Sequence, residues 1–145
     1  LIASIELGKR IFLKEKTKKK ELTSPEEIYE YTKYLFHNKK QEYFYALYFN
    51  SKQQLLSTKL LFIGTINQSI THPREVFKEA YLLSASSIIC LHNHPSNDTT
   101  PSKADISFTK ALIEIGKIQN IPILDHIIVG DDNYYSFYEH NSLNL

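Results

Sequence analysis

The apolar run SIICLHN (87–93) ends in two histidines one residue apart once the next residue is counted, His92 and His94. A polar loop follows, and Asp105 stands eleven positions after the second histidine. Successive strand side chains alternate faces, so histidines at i and i+2 point the same way if the run is a strand. The carboxyl end of a buried strand is also where α/β sheets place their ligands. A helix starting near Ser102 puts Asp105 on its first turn, facing the strand end from which the chain came. Two neutral imidazoles and one carboxylate then converge on a point, a donor set that suits zinc with a fourth position open to water. Zinc lowers the pKa of bound water from about 15.7 toward 7 and polarises a carbonyl. What such a centre lacks is a proton carrier for the water and the leaving amine, a task for a carboxylate outside the ligand set. An HxH pair arises in roughly a quarter of shuffled chains of this composition, and requiring Asp at the eleventh position lowers that to about one in a hundred.

Taken singly, each residue has a plain structural use. A histidine at a strand end is ordinarily a hydrogen-bonded residue, and Asp105 alone is a first-turn acid favoured by the helix dipole. Their shared orientation favours the metal. Asp125 and His126 are adjacent strand residues and face opposite ways; one of them can brace the site from outside, and otherwise both are local hydrogen-bonding groups. His72, before Pro73, reads as a helix-entry residue, and His37 and His140 as solvent-facing ones.

The elements that must position these groups are legible as periodicities. LIASIELGKRIFLKEK reads as a helix fading into a basic linker. LTSPEEIYEYTKYLFHN reads as a helix, with Ser24 as cap, Pro25 at the first helical position and Glu27 completing a capping box. EYFYALYFN (42–50) is strand-like; NSKQ turns into LLSTKLLFIG, and TINQSI is a further short strand. PREVFKEAYLLSA (73–85) is a helix, SIICLHN a buried strand, and SKADISFTKALIEIGKIQN (102–120) an amphipathic helix capped by Ser102. IPILDHIIVG and YYSFYEH are strands joined by the hairpin-type turn GDDN. The alternation predicts a three-layer α/β domain with a mixed sheet flanked by helices.

The 145 residues fit one domain able to bury a core, and 42% are hydrophobic and 23% charged. The single cysteine, Cys90, excludes an intrachain disulfide and a cysteine-based zinc site. Lying in an apolar run, it reads as a small buried hydrophobe and fits a reducing, cytoplasmic setting. No apolar segment reaches the roughly 20 residues a membrane span requires, and no signal peptide is visible. The absence of Met leads us to expect that the chain is part of something longer. Net charge is +1 but uneven: residues 1–20 hold seven Lys/Arg against two acids, and the rest ten against fourteen. Any phosphate-binding character therefore belongs to KEKTKKK (14–20), which reads first as a solvated helix end and linker, and not to the domain body.

HNHPSNDTTPSKAD resembles the JAMM (MPN+) metallopeptidase pattern. GTINQSITHPREVFKEAYLLSASSIICLHNHPS and IPILDHIIVGDDNYYSF are similar to the RadC family, a bacterial branch of that group, and the likeness covers nearly the whole chain. LIASIELGKR resembles the join between the RadC domain and a preceding helix-hairpin-helix module. The resemblance implies an MPN/JAMM (cytidine-deaminase-like) fold over 22–145, with 1–21 a helix and basic linker. It implies Zn2+ on His92, His94 and Asp105, with Ser102 helping to hold the oxyanion of a tetrahedral intermediate besides its use as a helix cap. It implies a general acid/base Glu on an earlier strand. Glu42, which heads EYFYALYF, is chosen over Glu75, a first-turn helix acid beside Pro73. The activity so implied is hydrolysis of a peptide or isopeptide bond. The alternative is a DNA-repair-associated DNA-binding or structural module without catalysis; a nuclease fits the near-neutral to acidic body poorly. One departure is NDTTPS in place of a Gly-containing loop, where Asn97 can supply the positive φ that glycine would.

Overall fold

Aromatic and aliphatic residues in period two build the middle of a five-stranded sheet, and amphipathic segments cover both its faces. The computed structural model describes residues 3–7, 21–67 and 71–143. Residues 3–7 are helical; residues 8–20, the basic run 14–20 among them, lie outside the described residues. In chain order the elements are α1 (Pro25–Thr32), a 3-10 turn (Lys33–Phe36), β1 (Tyr43–Phe49), β2 (Leu55–Ile63), α2 (Pro73–Leu82), β3 (Ser87–Asn93), α3 (Lys103–Gln119), β4 (Ile123–Val129) and β5 (Tyr134–Ser136). The strand order is β2-β1-β3-β4-β5. β3 and β4 run parallel and every other neighbouring pair antiparallel, so the sheet is mixed as expected. A parallel pair needs a crossover, and α3 is that crossover.

Side-chain alternation sorts the core into two halves. Phe44, Ala46, Tyr48, Ile88 and Cys90 pack with Val76 and Phe77 of α2 and Leu112 of α3. Leu47, Phe49, Ile89 and Leu91 pack on the other face with Ile28 and Tyr29 of α1 and Phe36 of the turn after it. That is a three-layer α/β arrangement. Even-numbered residues of β3 therefore face α2 and α3, and the next even position along it is His92. Cys90 is buried, and burial pushes its thiol well above the ordinary range, consistent with a core residue.

The helix starts follow capping chemistry. The Ser24 hydroxyl accepts from Glu27 N at 3.2 Å, with Pro25 in the first helical positions. The Glu27 carboxylate reaches back to the Thr23 N–H and hydroxyl, both at 2.9 Å, one residue earlier than a capping box anticipates. Two strand expectations need correction. Residues 65–67 of TINQSI are irregular, and 68–70 lie outside the described residues. YYSFYEH is a strand only as far as Ser136, because buried Asp125 takes the Ser136 hydroxyl at 2.6 Å and Tyr138 N at 2.9 Å and turns the chain inward. Among the described residues no helix is long and apolar enough to cross a membrane.

Candidate metal centre

β3 and the start of α3 supply the three expected donors. His92 projects from the α2/α3 face at the end of β3 and is fully buried; Asp105 is 2% exposed. His94 sits just past the strand, half-buried, where the chain can still bring its ring round to the same point. His92 Nε2 is 3.1 Å from His94 Nε2 and 3.2 Å from Asp105 Oδ1, and His94 Nε2 is 3.2 Å from Asp105 Oδ2. Donors about 2.0–2.1 Å from one tetrahedral ion stand about 3.3 Å apart. The two imidazole nitrogens have that spacing, each lies as close to one oxygen of Asp105, one atom from each residue falls within 4.8 Å of the others, and the donor set fits zinc.

Each donor is held from behind. Asp105 is the third helical residue of α3, and a reciprocal capping box places it: Ser102 Oγ accepts from Asp105 N at 3.1 Å, and Ser102 N donates to Asp105 Oδ2 at 2.7 Å. Ser102 is thus the helix cap, and its hydroxyl still has its own proton to donate. His94 Nδ1 lies 2.6 Å from the Asp98 carbonyl oxygen. His92 Nδ1 lies 2.8 Å from His126 Nε2, and His126 Nδ1 lies 2.5 Å from Thr109 Oγ1. Thr109 Oγ1 donates to the Asp105 carbonyl oxygen at 2.7 Å, closing a path from one ligand to another. So His126 is the member of the Asp125–His126 pair that braces the site. Asp125 faces away and ties β4 to the turn after β5. Thr109 carried a signal that sequence reasoning did not use: it lies four residues after Asp105, on the same helix face.

Electrostatics follow from this packing. Burial alone would push the Asp105 carboxyl up, yet hydrogen bonds from His92, His94 and the Ser102 backbone hold it far below the ordinary carboxylate range. The hydrogen bond to Asp105 raises His94, with burial opposing it and the Asp98 carbonyl adding to it. Burial, with His92 alongside, drives His126 well below the ordinary imidazole range, so its ring is neutral. Burial raises Asp125 to about 6 against the lowering effect of its hydrogen bonds.

Glu42 is the residue before β1. Phe44 pairs with His92 across the β1–β3 ladder, so extending that register by two residues sets Glu42 opposite His94. Glu42 is half-buried, accepts from Ile66 N at 3.3 Å, and its charge reaches His94. Glu75 lies in the first turn of α2 beside Arg74, at 3.4 Å. His72 occupies the entry to α2; His37 and His140 are exposed, and His140 stacks on Tyr135.

The loop 95–101 is latched to the β4–β5 turn. Asp131 N donates to Asn97 Oδ1 at 2.6 Å, and Asn97 Nδ2 donates to Asp131 Oδ2 at 2.9 Å. Asn97 has φ 67°, so it does supply the left-handed conformation that the missing glycine would. Beside His94 opens a cleft of about 740 Å³, whose lining includes Lys33, Lys39, Asp131, Asp132, Phe36 and Val129.

A mixed sheet with helices on both faces, carrying a His-x-His strand tip against the first turn of its crossover helix, defines a JAB/MPN-type α/β domain. The chain belongs to the family described as the RadC-like JAB domain, whose model matches residues 22–143. It is 49% identical over 139 residues to a UPF0758 protein of Bacillus cereus strain G9842, covering 96% of this chain and 62% of that one. It is 48% identical, with the same coverage, to UPF0758 proteins of Bacillus anthracis strain A0248 and Bacillus thuringiensis subsp. konkukian strain 97-27. The chain thus spans about three fifths of the length of these curated relatives.

Proposed function

We propose that this domain is a zinc-dependent hydrolase of peptide or isopeptide bonds, with His92, His94 and Asp105 as the metal ligands. The single observation that carries the reading is the convergence of His92, His94 and Asp105 at a strand tip, the two Nε2 atoms 3.1 Å apart and each 3.2 Å from a carboxylate oxygen of Asp105. Zinc bound there would supply a water of lowered pKa and an electrophile for the substrate carbonyl. The remaining work falls to the chain. Glu42 takes the proton of the attacking water and returns it to the leaving amine; its register position opposite His94 supports that role. The Ser102 hydroxyl, whose oxygen already caps α3, has a proton with which to hold the developing oxyanion. The cleft beside His94 offers room for an extended peptide, with charges of both signs along its walls.

Elemental analysis of the purified protein, combined with cleavage of an unbiased peptide library, tests the reading. The expected result is one zinc per chain and library cleavage. Glu42→Gln should keep the zinc and lower hydrolysis by about 10²–10⁴. Metal-free protein with all four residues intact would overturn the hydrolase, and normal turnover by the variant would remove Glu42 from its role.

The charge asymmetry favours a second reading, DNA association in a repair setting, with or without catalysis. The basic run 14–20 would supply the phosphate contacts. Fluorescence anisotropy with branched and single-stranded DNA across a salt series checks it. The expected outcome is a steep salt slope that vanishes when residues 1–20 are removed; an unchanged slope would exclude that segment.

A further inference from the structure

A histidine binds a metal through a bare ring nitrogen, so each ligand ring must keep its single proton on the nitrogen facing away. For His94 the reason is local. Its Nδ1 meets the Asp98 carbonyl oxygen, which can only accept, so Nδ1 carries a proton and Nε2 is the nitrogen left to face a cation. For His92 no carbonyl faces Nδ1; another imidazole does, and an imidazole can either donate or accept. The question passes to His126, and from there to Thr109.

Thr109 answers it. A hydroxyl has one proton, and at 2.7 Å from the Asp105 carbonyl oxygen that proton is committed, since the carbonyl cannot donate. Thr109 Oγ1 then has only lone pairs to offer His126, so His126 Nδ1 carries the ring proton across the 2.5 Å contact. The His126 ring is fully buried and its nitrogens meet only His92 and Thr109, with no carboxylate to pair a charge, so it carries one proton and its Nε2 is bare. A bare Nε2 at 2.8 Å must accept, so His92 Nδ1 holds a proton, and His92 Nε2, beside Asp105, is the nitrogen left for a cation. Phe137 stacks on the His126 ring at 9° between planes and keeps it in the orientation the chain requires.

We infer that Thr109 and His126 are positioning residues that set the proton direction through His92, so that the site offers two lone pairs and a carboxylate to a cation. This rests on the metal reading above for its use, but the proton positions it asserts hold in the metal-free protein as well. The relay starts at the Asp105 backbone and ends at the His92 ring, so the helix that delivers one ligand also dictates the state of another.

Two measurements test it. In metal-free protein at pH 8, long-range 1H–15N correlation spectra of the imidazoles should show His126 protonated at Nδ1 and bare at Nε2, and His92 protonated at Nδ1. A wild-type His126 carrying its proton on Nε2 overturns the inference. Zn2+ affinity is then measured by competition with a chelator. Thr109→Val, which keeps the shape and removes the hydroxyl, should bind Zn2+ about 10–100-fold more weakly and give a mixture of His92 tautomers. Thr109→Ser should restore binding to within about threefold of wild type, since it restores both the donor and the lone pair. His126→Phe, which preserves the stacking on Phe137, should weaken binding as Thr109→Val does. Folded Thr109→Val and His126→Phe proteins that hold Zn2+ as tightly as wild type overturn the inference. If a variant does not fold, the wild-type spectra still decide. If wild type binds no Zn2+ while the spectra show the stated tautomers, the hydrolase reading fails and the relay stands.

Discussion

At the scale of single residues, the candidate centre is a competition between a proton and a metal for the same three atoms. Asp105 is held ionised far below the ordinary carboxylate range, so it presents its charge at every working pH. His94 is raised, and it keeps a proton to higher pH than a free imidazole of about 6.5. That proton must leave before Nε2 can donate to a cation. Zinc affinity should therefore fall as pH drops, the loss setting in above 6.5 and approaching about tenfold per pH unit where one proton is displaced. A competitive zinc titration between pH 8 and 5.5 checks this, and an affinity flat across the range would contradict it. The ligand residues were legible in the sequence because strand alternation and a first-turn helix position both fix direction locally. Thr109 and His126 were not fully legible: the contacts that give them their meaning join residues 17 and 34 positions apart.

At the scale of elements, short connections decide how well the donors are aimed. The latch between Asn97 and Asp131 ties the loop after His94 to the β4–β5 turn. Asn97→Gly keeps the left-handed φ and removes both side-chain bonds; Asn97→Ala loses the bonds and also strains the backbone. Denaturant unfolding should place Ala below Gly by about 1 kcal/mol, with amide exchange at 95–101 faster in both variants. Equal stability of the two would mean that the left-handed backbone carries no weight here. The β4–β5 hairpin has its own signature in pH. Asp125 is raised from 3.8 to about 6, so the folded state holds a proton that the unfolded chain has already released. Its contribution is therefore most favourable below pH 4 and is lost as pH rises toward 6, by roughly 3 kcal/mol. Asp125→Asn, which cannot ionise, should gain on wild type by about that amount over the window, read from paired urea melts at each pH. A constant difference between the two proteins would show that the carboxyl does not titrate there. SIICLHN marked β3 to the residue, Ser87–Asn93, because an Ile-rich run bounded by polar residues has one reading. YYSFYEH misled, since its alternation continues past the point where Asp125 bends the chain.

At the scale of the whole molecule, a metal that binds only the folded state adds its binding free energy to folding. Zinc at about a thousand times its dissociation constant should stabilise the domain by about 4 kcal/mol, which raises Tm by on the order of 10 °C for this size. Calorimetry with zinc and with a chelator measures the difference, and coincident melts would contradict metal binding by the native fold. The sheet makes the site possible. By pairing Phe44 with His92 it brings the β1 end beside the β3 tip, so that Glu42 takes the register position opposite His94 although 52 positions separate them. The sequence alone determined the donor types, their spacing and the elements carrying them, because each of those depends on periodicities of two and 3.6 residues and on one loop length. The strand order, the approach of Glu42 and the proton direction through His126 were decided only by the tertiary structure. They are contacts between distant segments, and hydrogen-bond polarity is defined by a partner, never by a residue alone.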